Sequence, residues 1–134
     1  MPDTAFLDYE HVAVVDDDEA VRFSTARLLK RKGFVTHVFT GGEMFLGEGL
    51  RQRFDCILLD VRMPGIDGLG VLRALKAQAG HVAPVIILTG HGDVPLAVEA
   101  MKLGARDFIE KPYTPDTLFQ SIRNAIDGLP PPSF

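Results

Sequence analysis

Short apolar runs alternate five times with segments whose apolar residues recur at helical spacing. That is the pattern of strands feeding crossover helices in a parallel sheet. His11 to Asp16 predicts a first strand. Asp18 then caps a helix reaching Lys32, with Val21, Thr25, Leu28 and Leu29 on one face and Gly33 at the usual stop position. Phe34 to Phe39 predicts a second strand, and Thr40-Gly41-Gly42-Glu43 has the capping-box spacing that opens a helix carrying Phe45, Leu46 and Leu50. Phe54 to Asp60 predicts the third strand. After the turn Pro64-Gly65-Ile66-Asp67-Gly68, a third helix places Val71, Leu72, Leu75 and Ala79 on one side. Val85 to Thr89 follows as a fourth strand, and Asp93 caps a helix with Val94, Ala97, Val98 and Met101 inward and Gly104 at its end. Asp107 to Lys111 is a short fifth strand. Thr114 caps the last helix, whose stripe is Leu118, Ile122, Ala125 and Ile126.

The tail from Leu129 to Phe134, with three consecutive prolines, cannot continue that helix and reads as a linker or an extended end. Once five strands and five helices are assigned, too little sequence remains for a second domain or a helix-turn-helix. The expected organisation is an N-terminal extension over 1–10, one α/β domain over 11–127 and a Pro-rich tail over 128–134. A chain of 134 residues, 46% apolar and 24% charged, fits one globular domain. At that size it can hold a core without disulfides. Its single cysteine, Cys56, sits in the apolar run Cys56-Ile57-Leu58-Leu59 and reads as a small core residue. No apolar run approaches the roughly twenty residues of a membrane helix, and the first residues lack the pattern of a secretory signal. A cytoplasmic location is expected. With 14 Lys and Arg against 18 Asp and Glu, the net charge of −4 gives no footprint for direct nucleic-acid binding.

The polar residues that interrupt this pattern carry the chemistry. Asp16 and Asp17 follow Val12-Ala13-Val14-Val15, Asp60 follows Leu59, Thr89 follows Val85 to Leu88, and Lys111 lies just after Phe108-Ile109. Each stands at a strand's C-terminal end, and in an open parallel sheet those ends share one ligand-binding edge. Taken singly, each has an ordinary explanation: an aspartate after a strand is more often a cap, a threonine a loop hydroxyl, a lysine a solvated charge. Their joint placement is what points to a site. Three clustered carboxylates disfavour one another's ionisation unless a cation joins them. With oxygen ligands only, Mg2+ is the natural ion, since it binds through one or two carboxylates plus a phosphate oxygen and keeps several waters. Phosphoryl chemistry follows: an aspartate carboxylate is a competent nucleophile toward phosphorus, and a metal ion with a lysine neutralises the transferring group.

Competing motifs fail on inspection. Asp16-Asp17-Asp18-Glu19-Ala20-Val21 begins like a calcium loop, but Val21 occupies the glycine position and Arg27 the closing glutamate position. The glycine pairs do not make a dinucleotide fingerprint, and no phosphate-cradling lysine loop is present. A Mg2+-dependent phosphohydrolase with an aspartyl nucleophile is the rival class. Haloacid-dehalogenase-like enzymes carry a second acid two residues after the nucleophile, whereas Arg62 stands at that position here. A non-phosphorylated interaction module is the weakest alternative, because all five site residues are present.

Val15-Asp16-Asp17-Asp18, Leu59-Asp60-Val61-Arg62-Met63-Pro64-Gly65-Ile66-Asp67-Gly68, Leu88-Thr89-Gly90 and Glu110-Lys111-Pro112 together resemble the receiver domain of bacterial two-component response regulators. The segment from Thr89 to Ala105 looks most like the FixJ and NtrC-like receivers. The resemblance spans residues 11 to about 127. It implies a flavodoxin-like (βα)5 doubly wound sheet of order 2-1-3-4-5.

By that resemblance Asp60 is the phosphoacceptor, fed by a phosphohistidine on a sensor histidine kinase or by a phosphotransfer protein. Asp17 and Asp60 would bind Mg2+ directly with the Arg62 backbone carbonyl, while Asp16 acts through water. Thr89 and Lys111 would each bind a phosphoryl oxygen, and Phe108 holds the aromatic switch position. Arg62 and His91 lie where the family tunes the phosphoryl lifetime, and the Lys111-Pro112 bond corresponds to one that is often cis. Phosphorylation would draw Thr89 inward and alter the surface formed by the fourth helix, fifth strand and fifth helix. In the family that surface commonly forms a homodimer or releases an output domain; here the output would be a DNA-binding domain outside the chain or a partner protein. Such a protein loses its own phosphoryl group but does not turn over external substrates. Tyr113 departs from the family's usual Phe.

Overall fold

The computed structural model describes residues 9–78, 83–90 and 92–130. Five strands, β1 (His11–Val15), β2 (Val35–Phe39), β3 (Cys56–Asp60), β4 (Val85–Thr89) and β5 (Asp107–Glu110), form one sheet of order β2-β1-β3-β4-β5. All four pairings are parallel. The helices are α1 (Glu19–Arg31), α2 (Gly42–Glu48), α3 (Gly68–Ala77), α4 (Val94–Lys102) and α5 (Pro115–Ile126). This is the expected flavodoxin-like arrangement. Strand ends differ from expectation by one or two residues, which reflects where ladder hydrogen bonding stops.

The central strands are apolar without alternation because both faces are covered. Their side chains still divide by the two-residue period of a strand. Ala13, Val15, Ile57, Leu59 and Ile87 face α2, α3 and α4, joining Phe45, Val71, Leu72, Leu75 and Ala100. Val12, Val14, Cys56, Leu58, Ile86 and Leu88 face α1 and α5, joining Leu29, Leu118, Ile122 and Ala125. Burial pushes the Cys56 thiol up to about 12, so it packs as an inert core residue.

Side chains cap three helices, two of them, at Asp18 and Thr114, as expected. Asp18 accepts from the N–H groups of Ala20 and Val21, Asp67 from Gly70, and Thr114 from Thr117. At α2 the expected capping box does not form. Gly41 stands at the N-cap with no side-chain bond, and Glu43 reaches instead to the N–H of Ile66, 3.3 Å away in the turn before α3. At α4 the expected inward stripe is also corrected. Ala97 and Ala100 are the buried residues, while Val94 and Val98 point outward. Asp93 stands at the N-cap of α4 but makes no capping bond through its side chain. Leu50 lies partly exposed in a short 3-10 turn after α2. The Ala79 expectation lies outside the described residues.

Two local features fix the route around the end of β3. Gly68 is required because a Cβ there would lie 2.6 Å from the carbonyl oxygen of Asp60, so α3 starts directly against the strand end. Gly65, at φ 74°, takes the left-handed conformation that turns the chain between them. Past the last helix, the Leu129 N–H bonds the Asn124 carbonyl and the Arg106 guanidinium reaches the Leu129 carbonyl at 3.4 Å. At the other end Glu10, in the predicted N-terminal extension, is held by Arg123 of α5 at 2.6 Å. No helix among the described residues is long and apolar enough to cross a membrane.

Candidate functional site

Parallel pairing brings the predicted residues to one edge. Asp16 and Asp17 follow β1, Asp60 ends the neighbouring β3, Thr89 ends β4 and Lys111 follows β5. Carboxylate oxygens of Asp16, Asp17 and Asp60 all lie within 4.8 Å of one another. Asp16 is fully buried, Asp60 nearly so, and Asp17 is exposed at the rim. The Lys111 ammonium enters from the far side, 2.9 Å from Asp16 Oδ2 and 3.4 Å from Asp60 Oδ1. Its position follows from the strand register, the Lys111 N–H donating to the Thr89 carbonyl at 2.7 Å. The Lys111-Pro112 bond is cis.

The two inner aspartates have different surroundings. Both Asp16 oxygens are engaged, Oδ1 by the Asp18 N–H at 2.9 Å and Oδ2 by Lys111. Arg22 on α1 adds a bond to the Asp16 carbonyl at 2.8 Å and fixes the loop. Asp60 has the longer contact to Lys111 and faces two like charges. Burial, and then the charge on Asp16, push its carboxyl up to about 7 against the opposing pull of Lys111. Burial works against the Lys111 charge, but its bond to Asp16 and the charges of Asp60 and Asp16 outweigh it, leaving it above the ordinary lysine value. The donor set thus fits a hard divalent cation: oxygen ligands only, more negative charge than one ammonium balances, and one carboxylate open to the rim.

The hydroxyl of Thr89 is buried and has no hydrogen-bond partner among the described residues. A buried polar group left unpaired is costly unless something else satisfies it. Phe108 lies one strand over on β5, half-buried against the core beside α4. Arg62 points outward and pairs with Asp93 at 2.7 Å. His91 lies outside the described residues. Two features were not anticipated. The Asp93 partner of Arg62 is hidden in the sequence because an aspartate before a helix reads as a cap. Tyr113, beyond Lys111, bonds the buried Thr25 hydroxyl of α1 at 2.6 Å, tying α1 to the loop that carries Lys111. Burial raises the Tyr113 phenol, the Thr25 bond opposing it.

Comparison with known proteins gives one consistent result. The family model described as response regulator receiver domain matches residues 12–123. The transcriptional regulatory protein FixJ of Bradyrhizobium diazoefficiens is 49% identical over 121 residues, covering 90% of this chain and 58% of that protein. FixJ of Azorhizobium caulinodans is 50% identical over 115 residues, covering 86% and 54%. Among solved structures, full-length FixJ from B. japonicum superposes with a TM-score of 0.83 at 49% identity, over 88% of this chain and 58% of that one. The structure of FixJ-N gives 0.83 at 43% identity over 91% and 96%. The chain therefore spans little more than half the length of the curated relatives described, and nearly all of the isolated FixJ-N.

Proposed function

From the premise that this chain belongs to the response regulator receiver family, we propose that Asp60 accepts a phosphoryl group in a Mg2+-dependent reaction and thereby switches the α4-β5-α5 surface. The carrying observation is the convergence of Asp16, Asp17 and Lys111 on Asp60 at one sheet edge. A Asp60 carboxylate oxygen attacks phosphorus, the bond from phosphorus to the donor's leaving group breaks, and that group departs with the electron pair. An acyl phosphate remains. Lys111 stays charged throughout and balances charge on the phosphoryl oxygens.

Mg2+, when bound, would screen the carboxylates and the entering phosphoryl group from one another. Asp17 and Asp60 are suited to direct coordination, with the Arg62 backbone carbonyl as a third protein ligand. Asp16, whose two oxygens already accept hydrogen bonds, is better suited to act through water. The unpartnered Thr89 hydroxyl supports a role as donor to a phosphoryl oxygen. Its inward shift would let Phe108 repack and change how α4 is presented. The outward Val94 and Val98 of α4 supply apolar area for a homodimer through α4-β5-α5.

The proposed domain limits are 11–127, with flanking segments 1–10 and 128–134, and these form part of the reading. So do a cytoplasmic location for this chain, a sensor histidine kinase or phosphotransfer protein as donor, and a DNA-binding output domain outside this chain. Arg62 and His91 are proposed to tune the phosphoryl lifetime. Hydrolysis of external substrates is not favoured, since Arg62 stands where a second acid is needed and is paired to Asp93.

Intact mass after incubation with acetyl phosphate tests the proposal. One phosphoryl group is expected on the native chain, dependent on Mg2+ and absent from Asp60→Asn. No addition to a folded native chain, with another receiver labelled in parallel, would favour a phosphorylation-independent interaction module.

A further inference from the structure

Arg62 and Asp93 are joined across two loops that leave adjacent strands just beyond the site. Arg62 is the second residue after Asp60 at the end of β3, and Asp93 the fourth after Thr89 at the end of β4. Asp60 and Leu88 are register partners, so the pair bridges the two loops that leave these neighbouring strand ends. The contact is Nε to Oδ1 at 2.7 Å, and it is the one side-chain hydrogen bond of Arg62 among the described residues. The Arg62 side chain is 70% exposed and that of Asp93 only 12%.

Asp93 has given up a local role to make this contact. Asp18 and Asp67, at the same position of their helices, each bond an N–H of the first turn, whereas the Asp93 carboxylate bonds none. Its backbone is held independently: its N–H reaches the Gly90 carbonyl at 3.1 Å, and its carbonyl accepts from Leu96 and Ala97. The backbone of Asp93 is therefore anchored without its carboxylate, and of the two side chains the guanidinium is the one that reaches solvent.

We propose that Asp93 is a positioning residue that holds Arg62 in reserve at the pocket mouth, and that Arg62 meets the incoming phosphoryl donor when the pair opens. This rests on Asp60 being the phosphoacceptor. Even with a divalent cation bound, three carboxylates against one ammonium leave no net positive charge to draw an anionic donor in. A guanidinium offers paired N–H groups that match phosphoryl oxygens. The pair is open to water on its Arg62 side, which weakens it, so exchanging one carboxylate for a donor anion is accessible. With acetyl phosphate as donor, a Asp60 oxygen bonds phosphorus, the phosphorus bond to the acetate oxygen breaks, and acetate leaves with the electron pair. Arg62 exchanges no proton.

The test measures the initial rate of adduct formation by intact mass against acetyl phosphate concentration, at saturating Mg2+. The proteins are the native chain, Asp93→Asn, Arg62→Gln and the double variant. Asp93→Asn is expected to lower the half-saturating concentration about two- to fivefold, the range for releasing a partner from an exposed ion pair, with the maximal rate unchanged. Arg62→Gln should raise it, and Asp93→Asn should add nothing in that background. Both shifts should shrink at high salt. An equal Asp93→Asn effect with and without Arg62 would overturn the proposal, because Asp93 would then act through its own charge. No shift in any variant would overturn it as well. Should Asp93→Asn fail to fold, Arg62→Gln at its exposed site decides by itself: an unchanged half-saturation overturns the proposal. A folded native chain that takes up no phosphoryl group is a separate result, and it removes the phosphoacceptor premise.

Discussion

Two aspartates are almost equally buried on the same sheet, and their neighbours give them opposite characters. Asp107 opens β5 with 4% of its surface exposed, and Asp60 closes β3 with 6%. At Asp107 neutral donors fill both oxygens: the Ser121 hydroxyl at 2.6 Å and the Phe108 N–H at 2.8 Å. That carboxylate ties β5 to α5. At Asp60 the neighbours are two other carboxylates and a lysine 3.4 Å away, and the group is held at about 7. Burial alone therefore does not mark a reactive carboxylate. What marks it is burial among like charges that only an added cation or a phosphoryl group can reconcile.

The contrast can be broken most directly at Asp107. Asp107→Ala strands the buried Ser121 hydroxyl and the Phe108 N–H, and should cost about 2–3 kcal/mol in urea unfolding. Phosphoryl uptake per folded molecule should not change. A fall in uptake with the fold intact would show that the two carboxylates are not independent.

At Asp60 the stability effect should have the opposite sign. Its folded value of about 7 lies above its ordinary 3.8, so its contribution is fully present below about 3.8 and is lost as pH rises through about 7. Asp60→Asn removes that loss. The variant's advantage over the native chain should grow from pH 5 to pH 8 and reach roughly 2 kcal/mol, less than the whole shift implies because Lys111 loses a charged partner. A constant difference across that range would mean that Asp60 does not titrate as described.

Mg2+ gives the smallest of the three effects. At about ten times its dissociation constant it should stabilise the native chain by about 1.4 kcal/mol, seen as a rise in melting temperature that a chelator reverses. Asp107→Ala should keep the response, and Asp60→Asn should lose most of it. Equal responses in both variants would place the ion away from the acidic cluster.

Much of this was legible in the sequence because it depends on local pattern. Short, largely β-branched apolar runs such as Val12 to Val15 and Val85 to Leu88, each ending at a polar residue, fit strands covered on both faces. Polar residues at their ends must then share one edge of a parallel sheet. Asp16, Asp17, Asp60, Thr89 and Lys111 could be assigned to that edge before any coordinates. The inward face of α4 was less legible: Val94 and Val98 fit a helical stripe as well as Ala97 does, and periodicity does not say which side of an evenly apolar helix meets the sheet.

What the tertiary structure alone decided is which side chains meet across loops. Glu43 has the spacing of a local cap yet bonds Ile66, 23 residues away, and Asp93 stands at a cap position yet pairs with Arg62, 31 residues away. A carboxylate before a helix has two acceptor oxygens and no means of signalling whether a first-turn N–H or a distant donor will occupy them. The choice falls to the donor that the packed fold brings within reach. The order of the elements and the edge at which the charges collect follow from the pattern along the chain. The contacts among those charges were decided only once the sheet and its loops were packed, because they join strands adjacent in space and distant along the chain.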